Sequence, residues 1–205
     1  MKNKIIKDAL ALTLITLVAG VALGGVYEIT KDPIARQEAQ AKAEAYEQVF
    51  TDAAAFEEVK VDDTLIQTIR DQLDQEGYKA QSIEEIMRAE DESGETLGYA
   101  FTVVTSEGYG GDIQFSMGVQ NDGTLNGISI LSIGETAGLG MNADTPAFKD
   151  QFVGKQVEQL QYTKNGATQD DEINAISGAT VTTNAMTNGV NAGLCAFRVM
   201  EGGDQ

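Results

Sequence analysis

The sequence predicts an α+β protein in which a single N-terminal transmembrane helix precedes one domain with an antiparallel sheet and flanking helices. Three observations support this fold class. An apolar run without a charged side chain extends from Ala9 to Val26. Strand-like segments separated by turn residues fill 82–133, and segments with helical spacing lie on both sides of that region. The 205 residues, 42% of them hydrophobic, suit one well-buried domain with an appendage.

The apolar run is long enough to span a bilayer if flanking residues contribute, because a spanning helix needs roughly 20 apolar residues. We therefore predict an N-terminal tail over 1–8 and a transmembrane helix over 9–28. The run is preceded by Lys2, Lys4 and Lys7. Positive charge before a span favours a cytoplasmic N-terminus, so we expect a single-pass protein of the cell membrane whose main domain is extracytoplasmic.

A cleavable signal peptide is the alternative to a retained anchor. Small residues at 22–24 offer a cleavage site, but the apolar run exceeds the typical hydrophobic region of about 7–15 residues in such peptides. We therefore expect the anchor to be retained.

The charge and residue composition exclude several classes of function. With 14 basic and 32 acidic residues, the formal net charge is −18, which disfavours binding to nucleic acid. The chain has no histidine, so histidine-dependent triads and the commonest metal ligand are absent. Its one cysteine, Cys195, cannot form an intramolecular disulfide, and its apolar neighbours indicate a buried structural thiol.

After the predicted span, 29–80 is predicted to form a juxtamembrane helical region. Strong helix formers follow Pro33 as far as Phe50, and proline is tolerated at the first position of a helix. A second helix is predicted over Asp63–Glu76, where apolar residues recur at helical spacing.

The remaining domain is predicted over 81–205. Strand-like runs occupy 97–105, 113–119 and 125–131, and glycine-rich turns separate them, which predicts an antiparallel meander. A short helix is predicted after Pro146. The last helix should bury one apolar face and end before Gly202; that face comprises Met186, Val190, Leu194 and Phe197.

A group of hydroxyl and small residues lies where the last helix is predicted to begin. Ser177, Gly178 and Ala179 are small enough for an anion to approach the backbone, while Thr180, Thr182 and Thr183 add hydroxyls. The first turn of a helix binds phosphate well even without a basic side chain. Ordinary helix capping is the alternative for the same residues, and no nucleotide P-loop motif is present.

A second unusual stretch is Gly134–Met141, in which glycines and one carboxylate follow a predicted strand. Such a loop can lie flat against a planar ligand. It is equally typical of a flexible connection.

Taken in order, these motifs resemble the FMN-binding domain shared by the G subunit of the Rnf electron-transport complex and the C subunit of the sodium-translocating NADH:quinone oxidoreductase. The resemblance rests on the anchor and on four motifs: Gly108–Gly111, Asp122–Gly123, Glu135–Gly140 and Ser177–Thr180. It implies FMN as the cofactor, joined by a phosphoester bond to Thr180 by a dedicated flavin transferase.

The resemblance also implies which residues surround the cofactor. Ser177, Gly178, Ala179 and Thr183 would lie around the phosphate. Glu135, Thr136, Gly138, Leu139 and Gly140 would lie along the flavin ring. The chain departs from the family in having Asn174 where an aspartate is usual and Ala137 where a proline is usual, and the first difference bears on recognition by the transferase.

By this resemblance the chain is an electron-carrying subunit of a complex that couples electron transfer to ion translocation, of the ferredoxin:NAD oxidoreductase type, and has no catalytic or metal-binding residues of its own. Its expected partners are the integral membrane and iron–sulfur subunits. The apolar run from Ala9 to Val26 has no acidic or basic residue for an ion relay, so translocation belongs to those partners. The alternatives are the C subunit of the sodium pump, and an anchored binding or structural module without cofactor.

Overall fold

The computed structural model describes residues 2–203, and side chains from Lys4 to Gly202. The chain divides into two compact units between Ala41 and Lys42. The ends of the predicted N-terminal tail and of the predicted 81–205 domain lie outside the described residues.

The first helix, α1, is one element from Lys2 to Val49. The sequence predicts a new helix at Pro33, but Pro33 lies inside α1. A proline in a helix removes one backbone hydrogen bond and crowds the carbonyl of the preceding turn. The strong helix formers on its C-terminal side keep the chain helical, so the predicted start of a second helix is corrected to a continuation of the first.

Within the described residues, α1 contains a segment that is long and apolar enough to cross a membrane, with a mean hydropathy of 2.3 and no burial against the rest of the protein. The hydroxyls of Thr13 and Thr16 donate to the carbonyls of Ala9 and Thr13, at 2.9 and 3.0 Å. These bonds satisfy the polar atoms of an otherwise apolar stretch, as a lipid environment requires. Single-pass anchoring is therefore consistent with the structure of this helix.

The second unit contains a five-stranded antiparallel sheet in the order β1-β2-β3-β4-β5, which confirms the predicted meander. Its strands are β1 (Ala55–Glu58), β2 (Gln81–Glu90), β3 (Thr96–Thr105), β4 (Ile113–Gln120) and β5 (Leu125–Ile133). Strand β1 falls in the region 29–80 that the sequence predicts as helical. Only four residues long, it pairs with the end of β2, and a pairing at such a distance leaves no local signal.

Three helices and a small parallel strand pair complete this unit. They are α2 (Asp63–Glu76), α3 (Pro146–Lys149), β6 (Gln161–Thr163), β7 (Glu172–Asn174) and α4 (Thr180–Gly203), with 3-10 turns at Gly140–Asp144 and Asp150–Phe152. The bounds of α2 are those predicted. Helix α4 continues through its C-terminal glycines instead of ending before them.

Helix α4 packs on one face of the sheet through the predicted apolar side chains, which are all buried. Two glycines allow the close approach. A Cβ at Gly189 would lie 2.8 Å from the ring of Phe115, and one at Gly193 would lie 2.1 Å from Sδ of Met117. Cys195 is fully buried beside them, and its burial, with the charge of Glu76, raises the pKa of the thiol to about 11.

The last turns of α1 cover the opposite face of the sheet. Tyr46, Val49 and Phe50 are buried against Ala89 and Ala100. These residues belong to the second compact unit, which begins at Lys42. The chain from 42 to 80 therefore packs with the predicted 81–205 domain instead of forming a region apart.

Polar contacts fix the position of these last turns. The hydroxyls of Tyr46 and Thr102 are hydrogen-bonded at 2.7 Å, and Lys42 forms a half-buried ion pair with Glu85, also at 2.7 Å. Burial is the main reason why the pKa of Tyr46 is raised, so this hydroxyl stays protonated. Because the contacts are directional, they define one orientation of the segment 42–49 on the sheet.

Candidate functional site

Three segments of the second unit meet at the end of the sheet where β3 and β5 finish and β4 begins. The first is the turn and helix start at 177–180, the second is the loop 134–140 that follows β5, and the third is the loop 108–111 between β3 and β4. Their contacts with each other define the candidate site. The site includes both unusual stretches of the sequence.

The start of α4 is not capped by a side chain. In the described part of the chain, the backbone N–H groups of Thr180, Val181 and Thr182 have no hydrogen-bond acceptor. Helix α2 differs, because the carboxylate of Asp62 accepts from the N–H of Leu65 at 2.7 Å. The hydroxyl residues before α4 therefore do not perform ordinary capping, and its first turn presents unpaired donors and the positive end of a 24-residue helix.

The turn before α4 keeps this backbone accessible. Ser177 and Gly178 are exposed, and Gly178 has a φ of +76°, which favours glycine. A Cβ at Gly178 would lie 3.1 Å from Cδ2 of Leu139, so the turn lies directly against the 134–140 loop. Thr180 is partly exposed, and its hydroxyl has no hydrogen-bond partner among the described residues.

Thr183 has a different environment from Thr180. It is fully buried, and its hydroxyl donates to the carbonyl of Ala179 at 2.9 Å and accepts from the N–H of Ile176 at 3.0 Å. One side chain thus joins the first turn of the helix to the loop that enters it. In this structure the Thr183 hydroxyl thus has hydrogen-bond partners within the protein.

Thr183→Ala is expected to lower the free energy of unfolding by about 1–2 kcal/mol, because the buried N–H of Ile176 loses its acceptor. Thermal unfolding of the purified full chain measures this change. Thr183→Ser retains the hydroxyl and should lose less than half as much stability. Equal losses in both variants would contradict the assigned hydrogen bond.

The 134–140 loop is organised by its own backbone and by one buried carboxylate. The carbonyl of Thr136 accepts from the N–H groups of Leu139 and Met141, at 3.1 and 3.2 Å. Glu135 is 8% exposed, and its Oε1 accepts from the N–H of Tyr109 at 2.7 Å. These bonds connect both ends of the segment to defined partners in the protein.

Glycines permit the close approach of the segments. A Cβ at Gly140 would lie 2.5 Å from Oε2 of Glu135 and 2.6 Å from Oγ1 of Thr182. A Cβ at Gly110 would lie 2.1 Å from the carbonyl oxygen of Gly134. Side chains at these positions would separate the segments, which explains why glycine is needed in both loops.

The two departures from the family pattern occupy well-defined places. Asn174 ends β7, and its Oδ1 accepts from the N–H of Ala167 at 2.7 Å. An aspartate would accept the same bond, so this contact does not require the charge. Ala137 is exposed in the 136–139 turn, which the backbone bonds close without a proline.

Sequence reasoning missed two groups of residues at the site. Glu107 accepts hydrogen bonds from Asn184 and Asn188 of α4. Two large apolar side chains, Tyr109 and Val181, are also exposed there, at 75% and 50%, in addition to the predicted Leu139, which is 43% exposed. Two asparagines four residues apart in α4 were a signal for a shared partner, but the sequence does not indicate that the partner lies about eighty residues earlier.

Residues 108–194, which contain all three segments, match the family model described as an FMN-binding domain. The second unit is therefore a domain of the FMN-binding class. A second family model, described as the RnfG N-terminal region, matches 1–49.

The comparisons with whole proteins identify the family. The chain is 32% identical over 196 residues to the G subunit of the Na⁺-translocating ferredoxin:NAD⁺ oxidoreductase complex of Acetobacterium woodii, covering 95% of this chain and 92% of the relative. It is 28% identical to the G subunit of the proton-translocating ferredoxin:NAD⁺ oxidoreductase complex of Clostridium ljungdahlii, covering 98% and 96%. The chain belongs to the family of G subunits of Rnf-type ion-translocating oxidoreductase complexes.

A solved structure similar to this one is that of the C subunit of the Na⁺-translocating NADH-quinone reductase from Parabacteroides distasonis. The TM-score is 0.48 at 23% identity, and the match covers 56% of this chain and 61% of the other.

Proposed function

We propose that this chain is the flavin-carrying subunit of a membrane-bound complex that couples electron transfer to ion translocation, with FMN joined to Thr180 by a phosphoester bond. The observation that carries the proposal is the uncapped start of α4, with three unpaired N–H groups next to a partly exposed threonine hydroxyl. Membership of the G-subunit family supplies the class of complex.

The residues present fit an FMN phosphate. Unpaired backbone donors and the helix dipole stabilise an anion without a lysine or arginine, which suits an acidic chain. The exposed small residues Ser177 and Gly178, with buried Ala179 behind them, leave room for the group beside the backbone. A capping side chain would compete for the same donors, and none of the described residues provides one.

Of the three threonines at the helix start, Thr180 is the best candidate for the attachment residue because it is the one that is partly exposed. Thr182 is 1% exposed, and Thr183 is fully buried with its hydroxyl already bonded. We therefore assign Thr183 a positioning role at the site. Attachment at Thr180 is also what the resemblance of the Ser-Gly-Ala-Thr motif implies.

The 134–140 loop is proposed to lie along the flavin ring, as the family resemblance implies. Its members are Glu135, Thr136, Gly138, Leu139 and Gly140. The exposed apolar side chains of Leu139, Tyr109 and Val181 offer surfaces suited to a flat aromatic ring, while Glu135 holds two of the segments together. The ring would thus adjoin an apolar surface next to an anion site.

Formation of the bond requires an activated donor and a separate enzyme. The Oγ1 of Thr180 forms the new bond to phosphorus and loses its proton, while the bond from phosphorus to a leaving group breaks. A phosphoanhydride of FMN meets this requirement, because direct condensation of an alcohol with a phosphate in water is unfavourable. We propose that a flavin transferase catalyses this step, since the chain has no histidine to serve as the base.

Once attached, FMN supplies electron transfer in steps of one or two electrons, and the protein orients it and sets its surroundings. The chain itself is proposed to hold no ion pathway, because the apolar stretch of α1 has no acidic or basic residue. Integral membrane and iron–sulfur subunits are the proposed partners. The lysines before the span favour a cytoplasmic N-terminus and an extracytoplasmic domain.

Neither alternative has comparable support. A role as the C subunit of the sodium pump is disfavoured by the match of 1–49 to the N-terminal region of G subunits and by the nearly full-length similarity to them. A module without cofactor would leave the three unpaired N–H groups and the surrounding apolar side chains without an explanation.

Flavin fluorescence in a denaturing gel tests the proposal. The full chain, co-expressed with a flavin transferase, is expected to fluoresce at its own mass of 21.8 kDa plus the cofactor, and the peptide containing Thr180 should carry the mass of FMN. The control is the full chain expressed without the transferase, which should show no fluorescent band. Persistent absence of flavin in the presence of an active transferase would overturn the proposal.

A further inference from the structure

We propose that Glu107 is a positioning residue of this site: its carboxylate joins the Gly108–Gly111 loop to α4 and so fixes the arrangement of the three segments. This inference rests on the proposed function for its link to the flavin. The geometric part of the inference stands on its own contacts and is tested separately below.

One side of the link is formed with α4. Oε2 of Glu107 accepts from Nδ2 of Asn188 at 2.7 Å and from Nδ2 of Asn184 at 3.2 Å. The two asparagines are four residues apart, so they lie on the same face of the helix, one turn from each other. A single oxygen thus binds the first turns of α4 at two points. All three side chains are partly buried, which protects these bonds from water.

The other side of the link is the loop itself. Two residues after Glu107, the N–H of Tyr109 donates to Oε1 of Glu135 at 2.7 Å. The loop is therefore held at two nearby points. At the first, the carboxylate of Glu107 is bonded to α4; at the second, the N–H of Tyr109 is bonded to the carboxylate of Glu135 in the 134–140 loop. Movement at either point changes the position of the other, because only Gly108 separates them.

These contacts close a ring around the candidate site. The ring runs from α4 through Glu107 to Tyr109, from there through Glu135 to the 134–140 loop, and back to the helix start. The return contacts are those of Leu139 with Gly178 and of Gly140 with Thr182. Among the described residues, the Glu107 carboxylate provides the hydrogen bonds between the 106–112 segment and α4, so its removal opens the ring on that side.

The first test measures the loop and does not depend on flavin. In Glu107→Ala, amide hydrogen exchange at 108–111 in the full chain should become about fivefold faster or more, the effect of losing a hydrogen bond. Glu107→Gln keeps an acceptor oxygen for the asparagines and should retain most of the protection. Glu84→Ala is the matched control. It removes an exposed carboxylate that is bonded to the side-chain amide of Gln114 and not to α4. Unchanged exchange in Glu107→Ala would overturn the proposal.

The second test measures the flavin in the same variants. With the covalent flavin content of each sample determined first, Glu107→Ala should show lower flavin anisotropy and stronger quenching by iodide than the wild type, and Glu107→Gln should resemble the wild type. Equal anisotropy and quenching in all three would overturn the link between Glu107 and the flavin. A lack of flavin in every sample, the wild type included, would refute the proposed function, while the exchange result would still decide the role of Glu107 in the loop.

Discussion

Replacing Thr180 by alanine is expected to abolish covalent attachment of flavin while leaving the fold intact. The substitution removes the oxygen that would carry the phosphoryl group. Thr180 is partly exposed and makes no side-chain hydrogen bond with the described residues, so the stability should change by no more than about 0.5 kcal/mol. Flavin fluorescence in a denaturing gel measures attachment, and thermal unfolding measures stability.

Two further variants make this prediction specific to one position. Thr180→Ser keeps a hydroxyl and should still become covalently attached to flavin. If the transferase recognises the methyl group of threonine, the attachment will be slower. Thr182→Ala should retain flavin because the Thr182 side chain is buried. If Thr182→Ala or Thr183→Ala lost the signal in a folded protein while Thr180→Ala kept it, the attachment residue would be misassigned.

Gly110→Ala is expected to destabilise the protein and to disrupt the site. The new Cβ would lie 2.1 Å from the carbonyl oxygen of Gly134 and 2.8 Å from its carbonyl carbon, and both are backbone atoms that cannot rotate away. The two loops must separate, and the N–H of Tyr109 then loses its bond to Glu135. Overpacking of this kind costs about 1–3 kcal/mol, which corresponds to a fall in Tm of about 2–4 °C for each kcal/mol.

The opposing residue provides a matched control for this substitution. A Cβ at Gly134 would lie 3.5 Å from the carbonyl oxygen of Gly110, an ordinary contact, and its φ is not positive. Gly134→Ala should therefore leave Tm and flavin attachment close to those of the wild type. If both variants behaved alike, the close approach of the two loops would not be the cause.

Local signals predicted much of the fold. Apolar residues at helical spacing predicted the bounds of α2, and strand-like runs between glycine turns predicted β3, β4 and β5. Elements defined by distant pairing were not predictable in this way. Strand β1 has only four residues, and the parallel pair of β6 and β7 has three in each strand, too few for a periodic pattern.

Only the parts of the candidate site that have a local sequence signal could be predicted. Small residues before a helix and a glycine-rich loop after a strand are visible in the sequence, so both stretches were selected. The turn at Gly178 determines whether a nearby hydroxyl caps the helix, forms a hydrogen bond inside the protein or faces solvent. The residue types alone therefore do not distinguish the environment of Thr180 from that of Thr183. The link from Glu107 to α4 joins residues 77 and 81 positions apart, so no local pattern contains it.

The burial of the last turns of α1 against the sheet determines where the protein can be shortened. Tyr46, Val49 and Phe50 cover Ala89 and Ala100, so a fragment that began after residue 50 would expose an apolar surface and leave the hydroxyl of Thr102 without its partner. A water-soluble fragment should therefore begin no later than Lys42. By the same reasoning, a protease that cut the chain between the apolar stretch and Lys42 would release the flavin-binding domain with its core complete.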